Sequence, residues 1–141
     1  MLRNVRTLDG QLDAHTKSPE GGRAVMRDMR DKKMLGILID QKYNEGLELP
    51  FFGNPAMTNP IFVHLAQKYR CTLMPANCRR VDGCNFEITL RPVIKLFDDN
   101  DEPLPVEDVI AEANAMLEEL IRECPEQWLW IHRRWKDAVY E

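Results

Sequence analysis

Two stretches of this 141-residue chain carry residues suited to holding a ligand. In the first, Asp40-Gln41 directly follows the apolar run Met34 to Ile39. If that run is a strand, Asp40 and Gln41 stand at its carboxyl end, where open α/β folds bind ligands; the alternative is that Asp40 caps a turn. The following loop contains Leu49-Pro50-Phe51-Phe52-Gly53. Two adjacent aromatics do not both face one core, so one ring of Phe51 and Phe52 is exposed or lines a groove, unless the pair plugs the loop over the core. The second stretch is terminal. Trp128, Trp130 and Trp135, all three tryptophans of the chain, fall within eight residues beside Arg133, Arg134 and Lys136. Indole flanked by cations suits a membrane interface, and arginine suits bidentate phosphate binding. The competing reading is a terminal helix docked by its tryptophans, with Trp128, Ile131 and Trp135 on one face and solvated basic residues outside.

Other chemistries find little support. Cys71, Cys78, Cys84 and Cys124 have no Cys-x-x-Cys spacing, and His15, His64 and His132 are scattered, so no metal site is expected. If Asp82-Gly83 closes a two-residue hairpin, Cys84 lies opposite Val81 rather than Cys78, and all four cysteines read as reduced, small core residues. A formal net charge of −4 argues against a nucleic-acid partner. No apolar run approaches the roughly 18 to 20 residues of a membrane span, and the start lacks the apolar region of a signal peptide.

The elements that must position these residues read as one domain, 1–141, with a hydrophobic content of 44%, long enough to bury roughly two-thirds of its unfolded surface. Residues 1–17 are polar and aperiodic, a poorly structured start. Ser18-Pro19-Glu20 opens a helix running to about Lys33, with Ser18 as N-cap and Pro19 at the first helical position. Met34 to Ile39 and Cys71 to Ala76 read as buried strands. Between them Asn59-Pro60 or Thr58-Asn59 caps a helix carrying Ile61, Phe62, Leu65, Ala66 and Tyr69. That order implies βαβ units. Cys84 to Arg91 alternates as one arm of an antiparallel hairpin. Pro105 opens a long helix with Val106, Val109, Ile110, Ala113, Met116, Leu117, Leu120 and Ile121 on its core face, and Pro125 ends it. The expected fold is therefore α/β: a mixed, mainly parallel sheet with a β-hairpin, flanked by helices, and closed by the Trp/Arg-rich end 125–141.

Asp40-Gln41, Leu49-Pro50-Phe51-Phe52-Gly53, Ala56-Met57-Thr58, Leu65-Ala66, Pro75 and Pro125-Glu126-Gln127…Trp130…His132-Arg133-Arg134-Trp135-Lys136 resemble, in order and spacing, the late motifs of the bacterial lipid A biosynthesis acyltransferases. Gly21-Gly22-Arg23 resembles the segment preceding their Asp-Gln strand. The resemblance implies a partial, glycerol-phosphate acyltransferase-like domain matching the carboxy-terminal half of that family. Its members move a fatty acyl chain from acyl carrier protein to a hydroxyl of a lipid A precursor, at the cytoplasmic face of the inner membrane and without a cofactor. It further implies substrate-binding roles for Asp40, Gln41, Phe51, Phe52, Arg133 and Arg134.

In that family a histidine of an Asn-His-x-x-x-x-Asp/Glu motif is the general base, oriented by the acidic residue, and no covalent acyl-enzyme forms. Here His15 and Glu20 match the spacing formally. They lie closer to Asp40 than the family motif should, Ser-Pro stands where the family usually has Gly-Asn-Trp, and Pro19 leaves His15 outside the helix. The catalytic base stays unassigned, with His15 and Glu20 the formal candidates. The implied start of the chain is partway into the ancestral domain, the catalytic half being lost, truncated or encoded separately. Three functions follow: an acyltransferase domain, a catalytically silent membrane-associated lipid-binding module, or a remnant that pairs with a missing amino-terminal half or with itself as a homo-oligomer.

Overall fold

The computed structural model describes residues 15, 18–131 and 133–140, so the polar start 1–17 lies almost wholly outside the described residues. The chain divides into two compact units, Met1–Gly36 and Ile37–Glu141.

In the first unit, helix α1 spans Pro19–Arg30, starting as its residues dictate: the Gly21 amide donates to the Ser18 Oγ cap at 3.1 Å and Pro19 stands where no amide donor is needed. The helix stops three residues short of the expected Lys33 because Lys32 takes a left-handed conformation, φ 57°. Asp28 and Met29 are buried.

A departure from expectation falls where the first unit passes into the second. Met34 to Ile39 forms no strand, and Met34 and Leu38 are 100% and 77% exposed. Cys71 to Pro75 forms only an isolated bridge, Leu73 to Ile94, antiparallel. A mainly parallel sheet is therefore incorrect: the described residues form two separate two-stranded antiparallel sheets. An apolar run becomes a strand only when a neighbouring strand takes its amides and carbonyls, and among the described residues neither run has a parallel partner.

Strands β1 (Leu47–Phe51) and β2 (Asn54–Thr58) form a hairpin where a loop was expected. Its turn is Phe52-Gly53, with φ 51° and 75°, the two positive values of a tight hairpin turn. Pro50 and Pro55 obscure the strands in the sequence, yet they sit directly opposite each other at a non-hydrogen-bonded pair, where an amide would point away from the partner strand and its loss costs the ladder nothing. Leu47, Leu49, Phe51, Ala56 and Thr58 take the inner face; Glu48, Pro50, Pro55 and Met57 take the outer.

Helix α2 (Ile61–Tyr69) follows, its first amide accepted by the Asn59 side chain at 3.0 Å. The second hairpin pairs β3 (Ala76–Asp82) with β4 (Asn85–Leu90). The expected turn is off by one: Gly83-Cys84 make it, with Asp82 opposite Asn85 and a register shift between Arg80 and Asp82. Gly83 takes φ 47° at the first turn position, and the irregularity beside Val81 absorbs the extra residue. Cys78 and Cys84 are exposed rather than in the core, while all four cysteines are free thiols. Helix α3 (Val106–Glu123) presents the expected apolar stripe. Its Val109, Ile110 and Ala113 meet Phe62, Val63 and Ala66 of α2 and Ile94 and Leu96 in the main core. A second cluster joins Ile121 and Leu117 of α3 to Phe51, Phe52, Ala56, Trp128 and Trp135.

The terminal segment is not a helix. Two 3-10 turns, Pro125–Gln127 and Asp137–Val139, flank irregular chain. Trp128 and Trp135 meet, 6.1 Å between ring centroids, whereas Ile131 is 81% exposed. The indole N–H groups of Trp128 and Trp135 explain the path: each reaches an acceptor far along the chain, Asp40 and Phe51 O, and a continuous helix would not deliver them there.

Candidate functional site

The site grows from the inner face of the first hairpin. Phe51 is fully buried, and around it stand Phe52 at 5.0 Å, Trp135 at 5.6 Å and Trp128 at 6.0 Å between ring centroids. Burying indole is favourable only if its N–H finds an acceptor. Trp135 Nε1 donates to Phe51 O at 2.9 Å, and Trp128 Nε1 donates to the Asp40 carboxylate at 3.3 Å. Asp40 and Trp128 are thus brought together, 88 residues apart in sequence.

Arg134 completes the arrangement. It is 1% exposed, and its guanidinium donates from Nη1 to Met57 O at 2.8 Å and from Nη2 to Thr58 Oγ1 at 2.6 Å, while its flat face lies 5.0 Å from the Phe51 ring centroid. Met57 belongs to a non-hydrogen-bonded pair, so its carbonyl points off the hairpin edge, where Arg134 and the Tyr43 amide both reach it. Burial pushes the Arg134 guanidinium below its ordinary value and the nearby Asp40 carboxylate opposes this. Among the described residues Arg134 Nε has no hydrogen-bond partner.

Helix α3 braces the same turn. Asn114 Nδ2 donates to Pro50 O at 3.1 Å, Glu118 Oε1 accepts from the Phe52 amide at 2.6 Å, and Arg122 lies over the Phe52 ring at 4.7 Å. These contacts hold Phe52 in a left-handed conformation that costs a non-glycine residue about 1 kcal/mol. Sequence reasoning missed Thr58, Asn114 and Glu118 as participants. The signal for the last two was present: spaced four apart, they interrupt the apolar stripe of α3 with groups that must be satisfied when buried.

The remaining expected residues lie outside this cluster. Gln41 follows Asp40 and is partly buried. Arg133 is exposed and pairs with Asp137 at 3.1 Å; Lys136 pairs with Glu48. His132 lies outside the described residues. In the first unit His15 and Glu20 are not partners: His15 Nε2 meets Asp28 Oδ2 at 2.7 Å, while Glu20 accepts from Arg23 at 3.1 Å. Lys33 also donates to Asp28, at 2.9 Å, and holds that carboxyl below its ordinary value, against the cost of burial, with His15 adding to the effect.

In the second unit a carboxylate, a buried cation and a group of aromatic rings are gathered around the first hairpin. Among the described residues no three His, Cys, Asp or Glu side chains gather for a metal ion. Asp40, the aromatic turn of the first hairpin and the arginine-stapled tryptophan segment meet in a mixed domain of helices and antiparallel hairpins. The sequence profile of the bacterial lipid A biosynthesis acyltransferases matches residues 11–137, and the chain belongs to that family. No curated protein matches it significantly. Among the described residues no helix is long and apolar enough to cross a membrane.

Proposed function

We propose that the chain serves fatty acyl transfer in lipid A synthesis, from the thioester of acyl carrier protein to a hydroxyl of a lipid A precursor at the cytoplasmic face of the bacterial inner membrane. The observation that carries this reading is the convergence of Asp40, Phe51, Phe52, Trp128, Arg134 and Trp135 on one packed site in a chain of this family. In the reaction the acceptor oxygen attacks the thioester carbonyl, the C–O bond forms, the C–S bond breaks, and the hydroxyl proton ends on the carrier thiol. No cofactor enters. Asp40 accepts a hydrogen bond from a sugar hydroxyl of the acceptor, the partly exposed rings of Phe52 and Trp128 flank its acyl chains, and the exposed Arg133 meets a phosphate. Gln41, beside Asp40, adds an amide contact to the same sugar.

A second reading, a lipid-binding module without turnover, draws on one observation: His15 is engaged with Asp28 and Glu20 with Arg23, so the His-x-x-x-x-Glu pair is not assembled. One experiment separates the two. The purified chain is incubated with acyl-acyl carrier protein and lipid A precursor, and the lipid is analysed by mass spectrometry. One added acyl chain supports transfer. Its absence at enzyme excess sinks transfer and leaves the silent module, which requires the chain to float with precursor-bearing vesicles more than with vesicles lacking the precursor.

A further inference from the structure

Gln127 and Trp128 are consecutive residues that hold two distant parts of the second unit. The Gln127 side-chain amide accepts from Arg80 N at 2.8 Å and donates to Arg80 O at 3.0 Å. It thus takes both backbone groups of a β3 residue as a neighbouring strand would. An amide side chain suits this because it carries an acceptor and a donor on one flat group. The next side chain reaches elsewhere: Trp128 Nε1 donates to Asp40 Oδ2 at 3.3 Å.

The clamp grips a fixed reference. Arg91, just after β4, donates from Nη2 to Glu123 at the end of α3 at 2.8 Å and from Nε to the Asn77 side chain of β3 at 3.2 Å. From the clamp to the indole the chain is equally restrained. Gln127 N donates to Cys124 O at 3.1 Å, closing the turn Pro125–Gln127, and Trp130 Nε1 donates to Pro125 O at 2.7 Å while its ring stands edge-on to Trp128 at 4.5 Å. Asp40 has less to hold it. It lies in a stretch without helix or strand, and among the described residues the Trp128 indole is the one hydrogen-bond donor to its carboxylate. At 3.3 Å that bond is near the long limit, so a small displacement of Trp128 breaks it.

We propose that Gln127 is a positioning residue: by fixing the chain to Arg80 it holds the Trp128 indole against Asp40, and so orients the carboxylate that receives the acceptor hydroxyl. That purpose rests on the proposed acyl transfer, but the contact is measured without turnover, so failure of transfer and failure of the clamp are read separately.

The test follows hydrogen exchange at the indole N–H groups of the full chain by NMR, the Trp128 signal being assigned by its loss in Trp128→Phe. Gln127→Ala, at an exposed position, is expected to speed exchange at Trp128 about tenfold and to leave Trp135, whose N–H is buried against Phe51 O, unchanged. Retained protection at Trp135 also shows that the variant is folded. Gln127→Glu keeps the shape and the acceptor but loses the donor at neutral pH, and gives an intermediate rate. Acyl transfer falls about threefold or more in Gln127→Ala, with no further loss when the same change is made in Trp128→Phe, since Gln127 acts through that indole. Unchanged exchange at Trp128 overturns the proposal. So does exchange that rises equally at Trp135, the signature of general loosening, or a transfer loss that persists undiminished in the Trp128→Phe chain. If the native chain transfers nothing, the proposed reaction falls and the exchange rates alone decide the clamp.

Discussion

Removing the Arg134 side chain strips Met57 O and Thr58 Oγ1 of their charged donor inside the protein and leaves a hole beside Phe51. Arg134→Ala is expected to lower the free energy of unfolding by about 3 kcal/mol or more. Arg134→Lys keeps a charge but loses the planar fork and falls between, at about 1–2 kcal/mol. Urea unfolding followed by tryptophan fluorescence measures both; a loss below about 1 kcal/mol for the alanine variant would show that Arg134 is not the staple described. At the other unit, Asp28 titrates below its ordinary value of 3.8 because Lys33 and then His15 stabilise its charged form. A carboxyl depressed in the folded state contributes stability above its unfolded pKa, and that contribution is lost as pH falls through the folded pKa. Asp28→Asn therefore destabilises at neutral pH, and the difference closes once Asp28 is protonated in acid. Carboxyl-carbon NMR should place the Asp28 midpoint below 3.8, with Lys33→Ala moving it upward.

At the scale of elements, the first hairpin is the part on which the site depends, since its inner face carries Phe51, its turn Phe52, and its edge the acceptors of Arg134. Two glycines control it for different reasons. Gly53 has φ 75° and open space around a built Cβ, so Gly53→Ala costs only the left-handed strain, about 1–2 kcal/mol. A Cβ at Gly46 would lie 2.2 Å from Thr58 O, backbone that cannot swing aside. Gly46→Ala should cost about 2 kcal/mol or more and loosen Thr58 from Arg134. Thermal unfolding of the two variants ranks them; a Gly46 variant no worse than the Gly53 variant would contradict the packing of Gly46 against β2. The hairpin was hard to read because Pro50 and Pro55 demote a strand in sequence, and only the register shows that both occupy a pair needing no amide.

At the scale of the whole molecule, the proposed reaction makes Asp40 an orienting acceptor rather than a structural necessity. Asp40→Asn retains an oxygen to accept from Trp128 Nε1 but loses the charge, so acyl transfer should fall about tenfold or more with little change in Tm. Equal transfer by wild type and variant would remove Asp40 from the site. The sequence by itself determined the local elements and the lineage: the cap at Ser18, the stripe of α3, the second hairpin, and the motif residues that resemble the family. Those features depend on neighbours a few residues away, or on residue order alone. Tertiary structure decided the rest. Whether Met34 to Ile39 becomes a strand depends on a partner to receive its hydrogen bonds, which no local pattern contains. Whether His15 meets Glu20 or Asp28 depends on where a helix turn carries each side chain. Arg134 reads as a phosphate ligand until the fold buries it against Met57 and Thr58, because charge is a property of the residue, whereas burial and available acceptors are properties of the packed chain.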